Sequence, residues 1–570
     1  MTTPGSSGSP VPPALPVADE PGGEQAVETG AVSRAAGIGR AAALIGGLTV
    51  VARILGLART LVFSGTVHSS CLGVAYFTAN QVPNVIYDIV LGGALTAIVV
   101  PVLARPAEQA AGDEVARRER DAISSALLTW TVVILAPVSL ILALAAGPAM
   151  SALIPANPGP FCSTATLVPL AARMLAAFAP QILLYGLAVV SYGILQAHRK
   201  FSAPALAPVL SSLVVIAAYL LFVPLGQQYT TFVRGLPTSA ELMLSVGTTL
   251  GVAALVVTAI LPVWRLRIRL RPTLRFPAGI ARRARGLAGV GVATLVAQDV
   301  SVLVVVWLAN AHGKSSVGPA LPLYNYSWQI FVSVYAVLAI PIAISAFTVL
   351  SARKGAEFDA TAASATRVTA LASWLGAALL AGAAFPIGRA FPGLGEFQPA
   401  ALALALMTFA PGLVGYGLTA CLSRVLLADG RNRTAAVPLV AGWLLVIVID
   451  LVAIPLVPAW TVVWVLGLAN TAGMTVSGVA LVIAVARTRG AAALAGCWRA
   501  VGAGFVAAVA GAAAGLGITG ALHVYGTWPN SGVACAAGLG SGIAFILIVA
   551  LLDGGDLRTA VARVRRRVAS

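Results

Sequence analysis

Long apolar runs broken by short polar clusters repeat along almost the whole chain. A bilayer core about 30 Å thick needs roughly 20 apolar residues per helix. That window predicts fourteen spans: 41–65, 76–104, 122–150, 165–196, 203–224, 243–264, 286–311, 322–352, 364–391, 399–427, 434–457, 460–486, 495–523 and 530–552. Residues 1–33 are Pro-, Gly- and Ser-rich, without the basic-then-apolar order of a signal peptide, and residues 1–40 are expected to form a disordered cytoplasmic tail. The predicted class is therefore an all-α integral membrane protein.

Composition agrees. Of the 570 residues 59% are hydrophobic and only 10% charged, and the mean hydropathy is +0.93, whereas soluble chains carry about 25% charged residues. The net charge of +17 invites a nucleic-acid reading, but the position of the charges argues against one. With the N-terminus inside, 28 of the 36 basic residues fall in inner loops and the tail, and three (Arg234, Lys314, Arg389) fall outside. This asymmetry predicts both termini in the cytoplasm and an even number of spans. The loop RLRIRLRPTLRFPAGIARRAR (265–285) alternates arginine with apolar residues, and is expected to join two halves and lie on lipid head groups.

A weak internal repeat aligns 75–104 with 323–352, so that Tyr76 meets Tyr324, Gln81 meets Gln329 and Tyr87 meets Tyr335. The implied layout is a lobe of spans 1–6 (41–264), the basic linker (265–285), a lobe of spans 7–12 (286–486), spans 13 and 14 (487–552) and a basic tail (553–570). Two parallel lobes enclose a central cavity, and rocking opens it to either side.

Charge inside a span costs about 2.5–3.5 kcal/mol on insertion scales, so it signals function or a wet cavity. Arg53, Arg59, Asp88, Arg173, Asp299 and Asp450 qualify. Asn80, Asn84, Tyr87 and Asp88 form one polar stripe on the second span, beside Pro83 and ahead of the pair Gly92-Gly93. Arg53 and Arg59 are six residues apart, about 240° around a helix, and converge only if Gly56 relaxes the helix or the long side chains reach. Two readings stand: a cavity for an anionic ligand, or Arg53, Arg59 and Asp88 pinning two helices by mutual neutralisation. On the first, Asp88 holds an arginine when the site is empty. Asp299 reads equally as an ion or proton site and as a polar cap. Asp450 is expected at the interface and His68 in solvent. A disulfide between Cys71 and Cys162 is open on topology, but two unrelated thiols are expected. The sequence suggests no metal site, no cofactor and no enzymatic motif of the HExxH, P-loop or GxSxG kind.

ARILGLART (52–60), AYFTANQVPNVIYDIVLGGALTAIVVPVLAR (75–105) and GILQAHRKFSAPALAPVL (193–210) resemble the MurJ/MviN family of lipid II flippases, within the multidrug/oligosaccharidyl-lipid/polysaccharide exporter superfamily. The form is similar to actinobacterial members without their pseudokinase extension. The resemblance implies a multi-pass protein of the bacterial plasma membrane that carries the undecaprenyl-diphosphate-linked disaccharide-peptide from the inner to the outer leaflet. It implies Arg53 and Arg59 at the diphosphate, Asn84 at the family's PN asparagine and a groove toward spans 13 and 14 for the polyprenyl tail; the polar stripe adds Asn80, Tyr87 and Asp88 as expected substrate contacts, and Gln329 stands where the family has a cavity arginine. Coupling to a monovalent cation or the membrane potential is implied, as are membrane lipids and cell-division or cell-wall synthesis proteins as partners; Asp88 and Asp299 are the carboxylates within spans expected to carry an ion or proton. The chain departs from the pattern at Thr60, where the family often has an acid, at Tyr87 and Asp88, where it often has bases, and at Gln329, where it often has an arginine. An exporter of another lipid-linked glycan or a drug by cation antiport is the alternative; a membrane enzyme and a transport-dead scaffold are weighed below both.

Overall fold

The computed structural model describes residues 47–89, 99, 103, 106, 108–109, 113–159, 162–275, 280–313 and 318–552, with the side chains of 280–291 excluded. By contacts the chain divides into residues 1–49 and 50–570, and the architecture is that of the second unit. The expected tails 1–40 and 553–570, Gly92-Gly93 and most of 90–112 lie outside the described residues.

The described chain is helical. Helix α1 is Gly47–Thr66. Then come α2 (Cys71–Asp88), α3 (Glu114–Leu144), α4 (Ala146–Leu153), α5 (Thr164–Phe178), α6 (Pro180–Ala197), α7 (Ser202–Gly226) and α8 (Thr238–Trp264). The remainder comprises α9 (Ile280–His312), α10 (Ala320–Leu338), α11 (Ile340–Leu350), α12 (Gly355–Gly382), α13 (Ala384–Ala390), α14 (Gln398–Phe409), α15 (Gly412–Ala428), α16 (Asn432–Ala453), α17 (Val462–Arg489), α18 (Cys497–Ala521) and α19 (Thr527–Leu552). Among the described residues twelve helices are long and apolar enough to cross a membrane, thirteen if α14 and α15, bent by 42°, form one span. The expected span 76–104 is helical as far as Asp88, and most of its remainder lies outside the described residues.

Helix ends overrun the hydropathy edges where polar chemistry sustains them. Helix α3 starts at Glu114, eight residues before the apolar run, because Asp113 caps it: its carboxylate accepts from Val115 N at 2.8 Å. Proline sets several breaks. Pro180 opens α6 directly after α5, and Pro411 stands at the bend between α14 and α15. A proline lacks the N–H that would continue the ladder and crowds the preceding turn.

The linker is more ordered than its composition suggests. Residues 268–275 run extended along α3, and backbone N–H groups of Arg269, Arg271 and Thr273 donate to Asp121 Oδ2 (3.2 Å), Ser125 Oγ (3.0 Å) and Thr129 Oγ1 (3.2 Å). The fit is geometric. Two extended residues advance about 6.6 Å, and four helical residues advance about 6 Å. Trp130 Nε1 closes the row on Leu274 O at 3.0 Å. The arginines of this segment stay exposed.

Close helix crossings rest on glycine. Helix α17 meets α16 at Gly473 and Gly442, and meets α15 at Gly478 and Gly415, where backbones approach without side chains between them. Helices α18 and α19 pack on each other and on α12.

Candidate functional site

Helices α1 and α2 are antiparallel neighbours joined by the turn 67–70, where Ser70 caps α2 by accepting from Gly73 N at 3.4 Å. Their facing polar residues border a cavity of about 610 Å³, inside the range of roughly 300–1,000 Å³ usual for ligand sites. All seven residues singled out as substrate contacts by the sequence line it: Arg53, Arg59, Asn80, Asn84, Tyr87, Asp88 and Gln329. Both arginines reach the same space despite their angular separation. Gly56 between them has no neighbour within 4 Å of a hypothetical Cβ, so the long side chains are free to converge.

Neither arginine forms an ion pair with Asp88 or with any other described residue. The mutual-neutralisation reading and the expectation that Asp88 holds an arginine are therefore corrected. The reason is helical rise. Counting from the turn, Arg59 stands level with Thr78 and Arg53 with Asn84, so Asp88 is about 6 Å deeper than Arg53. Among the described residues the cavity wall thus carries two guanidinium groups and one carboxylate, a formal charge of +1.

Aromatic and amide groups fix the rest of the wall. The Tyr87 and Tyr185 rings pack at 4.0 Å, and Tyr185 Oη donates to Asn84 Oδ1 at 3.3 Å. Tyr76 Oη lies 2.7 Å from Tyr219 Oη and 2.8 Å from Thr248 Oγ1, and Thr248 donates onward to Leu244 O. Asn80 Oδ1 is buried without a hydrogen-bond partner among the described residues. Such an oxygen is an acceptor held ready for water or ligand.

The sequence missed Gln81, Tyr185, Ser211, Tyr219, Thr248 and Asn325 as lining residues. Two had a signal. Gln81 matches Gln329 in the repeat, and both face the cavity; Asn325 precedes Gln329 by one helical turn, on the same face. The others are isolated polar or aromatic residues in their spans, without a helical-spaced polar stripe, and carried none.

Charged groups elsewhere behave differently from one another. Arg173 does not line the cavity. Its guanidinium donates through Nε to Glu241 Oε1 (2.9 Å) and through Nη2 to Oε2 (2.8 Å), with Glu241 buried and the arginine side chain 60% exposed. Glu241 falls before the expected span 243–264, yet it belongs to the first turn of α8. Asp299 is 2% exposed and its Oδ2 has no partner among the described residues. Asp450 is not interfacial: it is 0% exposed, with neither carboxylate oxygen partnered among the described residues, on a helix packed against α9 and α17. His68 is half-buried rather than solvated, in a left-handed conformation (φ 66°), and burial holds its pKa below the ordinary value.

One end of the cavity is shut. At the end where α1 turns into α2, predicted to face outward, Ser64 Oγ donates to Pro392 O (2.7 Å) and Asn310 Nδ2 donates to Thr78 Oγ1 (3.1 Å) and Leu153 O (2.9 Å). Tyr326 Oη reaches His68 O at 3.5 Å, and Gln398 Nε2 reaches Ser69 O at 3.3 Å. Each of these bonds joins residues before the linker to residues after it. Glycine permits the approach. A Cβ on Gly65 would lie 3.2 Å from Pro392 Cγ, and one on Gly393 (φ 70°) would collide with Ser64 O. Cys71 and Cys162 form a disulfide beside this seam, with Cα atoms 5.3 Å apart, which corrects the expectation of two unrelated thiols. Ninety-one residues separate them in sequence, so only folding reveals the proximity.

Known proteins share parts of this sequence and most of this fold. The family described as "Lipid II flippase MurJ" matches residues 65–531. A curated relative of that name from Burkholderia cenocepacia is 30% identical over 185 residues, 32% of this chain and 34% of the relative. The match thus spans about a third of that relative's length. Among solved structures, "Lipid II flippase MurJ, inward closed conformation" superposes with a TM-score of 0.68 at 17% identity, covering 89% of this chain and 98% of the other. An inward-facing multidrug resistance MATE family transporter of the MOP superfamily superposes with a TM-score of 0.60 at 14% identity, covering 77% and 95%. At these identities the structural likeness is one of fold.

Proposed function

Because this chain belongs to the MurJ family of lipid II flippases, we propose that it carries lipid II from the inner to the outer leaflet of the bacterial plasma membrane, through the cavity lined by α1, α2, α6, α7, α8 and α10. The observation that carries this reading is the pair Arg53 and Arg59, which line the cavity and form no ion pair with Asp88 or any other described acid. A guanidinium presents parallel N–H donors that match phosphate oxygens two at a time. Two of them suit a diphosphate. Asn80, Asn84 and Gln329 offer amides for the sugar and peptide, and Tyr87 offers a ring face for sugar packing. The polyprenyl tail stays in an apolar groove toward α18 and α19.

In this reading, residues 41–264 and 286–486 act as lobes. Substrate enters from the cytoplasmic side while the outer seam is closed, the seam opens, and the cytoplasmic side shuts. The MATE likeness supports a two-sided cycle of this kind as a fold-level analogy.

The test is the sidedness of lipid II in cells depleted of the protein, read by an externally added enzyme that cleaves lipid II. Lipid II is expected to accumulate several-fold and become protected. Normal levels with full accessibility would remove the lipid II reading and favour another lipid-linked glycan or a drug as cargo.

Coupling is proposed at the two carboxylates Asp88 and Asp299. Asp88 lines the cavity, and Asp299 is buried with an oxygen unpartnered among the described residues. A buried carboxylate needs a cation, a proton or water to complete it. Asp299→Asn is expected to leave the membrane level intact and to cut gradient-driven flipping in proteoliposomes at least ten-fold. It should leave the slow exchange seen without a gradient unaltered. Equal loss with and without a gradient would point to a structural role instead.

A further inference from the structure

We propose that Gln398 is the latch of the outer gate, closing on a rim that the Cys71–Cys162 disulfide holds in place. The inference rests on the two-sided cycle above, not on the identity of the cargo.

Gln398 opens α14 on the second side of the seam and is 6% exposed. Both ends of its amide are used. Oε1 accepts from Gly395 N at 2.9 Å, within its own loop, while Nε2 crosses the seam to Ser69 O at 3.3 Å. The first bond sets the amide orientation, so that the donor end points across. Gly318 leaves room for it: a side chain there would strike Gln398 Nε2. The amide is therefore aimed, not merely accommodated.

The acceptor side is fixed independently. Ser69 precedes the cap of α2, where Ser70 Oγ donates to Val67 O at 2.8 Å and accepts from Gly73 N. Cys71, next in line, is bonded to Cys162, and Leu72 N donates to Thr230 O at 3.1 Å. The loop carrying Cys162 also meets the second side, since a Cβ on Gly159 would lie 3.6 Å from Pro319 Cγ and 3.3 Å from Cys162 Sγ. The turn, the 227–233 segment and the Cys162 loop thus form one tied rim. When the seam opens, the rim stays with the first side and Gln398 leaves with α14.

The chemistry suits a latch. A neutral hydrogen bond of ordinary length contributes a modest net stabilisation, because water replaces it once the seam is wet. It biases the closed state without locking it. Gate opening therefore needs no charge to be stripped from a partner, and an ion pair in the same place would cost far more to separate.

The test reads the gate and not transport. Cysteines at the exposed positions Arg234 and Glu396, in full-length protein with Cys535 replaced by serine, carry spin labels for distance measurement in nanodiscs without substrate. In the parent the short distance should dominate. Gln398→Leu should raise the ratio of the long to the short distance about five-fold, and Gln398→Asn, whose amide is one carbon too short, should do the same. The double replacement Cys71→Ser with Cys162→Ser, which leaves no new thiol at the seam, should broaden the short-distance peak without Gln398 being touched. An unchanged distribution in both Gln398 variants would overturn the latch, and an unchanged peak width in the double serine variant of Cys71 and Cys162 would overturn the rim. Because no cargo is present, failure of the lipid II assignment would leave these distances untouched, and failure here would leave the sidedness result standing.

Discussion

Arg59→Ala and Arg53→Ala are each expected to abolish support of growth in cells depleted of the native flippase, with the protein still present at its normal level in the membrane. The expected loss for one charge-assisted bidentate contact is about 1.5–3 kcal/mol, or roughly 10- to 150-fold in transport at limiting substrate. Stability should change little. Neither side chain is paired with a described residue, Arg53 is exposed and Arg59 is half-buried, so truncation strands no partner. Arg→Lys should recover only part of the activity, because an ammonium is a point charge and cannot present two parallel donors. Growth complementation together with membrane quantification by immunoblot decides the matter. Normal growth of both alanine variants would sink the anion-cavity reading.

Gly473→Val is expected to produce the largest loss of stability. A Cβ at Gly473 would strike Val446 and come within 2.6 Å of Gly442 O, while one at Gly442 would meet Gly473 O at 2.9 Å. The two helices cross with backbone against backbone, so neither can yield without moving the other. Overpacking a filled interior costs typically about 1–3 kcal/mol, and valine adds a β-branch to that. Apparent Tm in detergent should fall by several degrees, with reduced membrane yield. Gly538→Ala is the control, since a Cβ there meets nothing within 4 Å, and it should leave Tm the same or slightly higher. A Gly473→Val protein with the parent's Tm would show that the two helices can part at this crossing without cost.

The sequence could show the spans because apolar length is a one-dimensional property. Runs such as 203–224 and 434–457 match helical residues 202–229 and 432–456 to within a few residues. The cavity wall on α2 was legible for a related reason. Asn80, Asn84, Tyr87 and Asp88 recur at helical spacing within an otherwise apolar span, and polarity is expensive enough there to mark a purpose. Arg173 carries the same mark and misleads. Its partner, Glu241, is sixty-eight residues away and outside any apolar run, so an ion pair that does not line the cavity looks in sequence like a cavity residue. Asp450 misleads in the opposite sense. Its place near a span end suggests an interface, whereas α9 and α17 bury it completely.

The sequence by itself determined that this chain is a helical membrane protein, where most of its described spans lie, which of them carries the arginine pair and which family the motifs resemble. These follow from residue type and local spacing, through hydropathy, helical period and charge asymmetry. The tertiary structure alone decided that Arg53 and Arg59 share one cavity without pairing to an acid among the described residues, that Cys71 and Cys162 are bonded, that residues 268–275 of the linker lie along α3, and that Gln398 reaches Ser69 across a seam closed by glycines. Each of these joins residues brought together by folding. Their proximity depends on how helices cross and how far side chains reach, which no local pattern encodes.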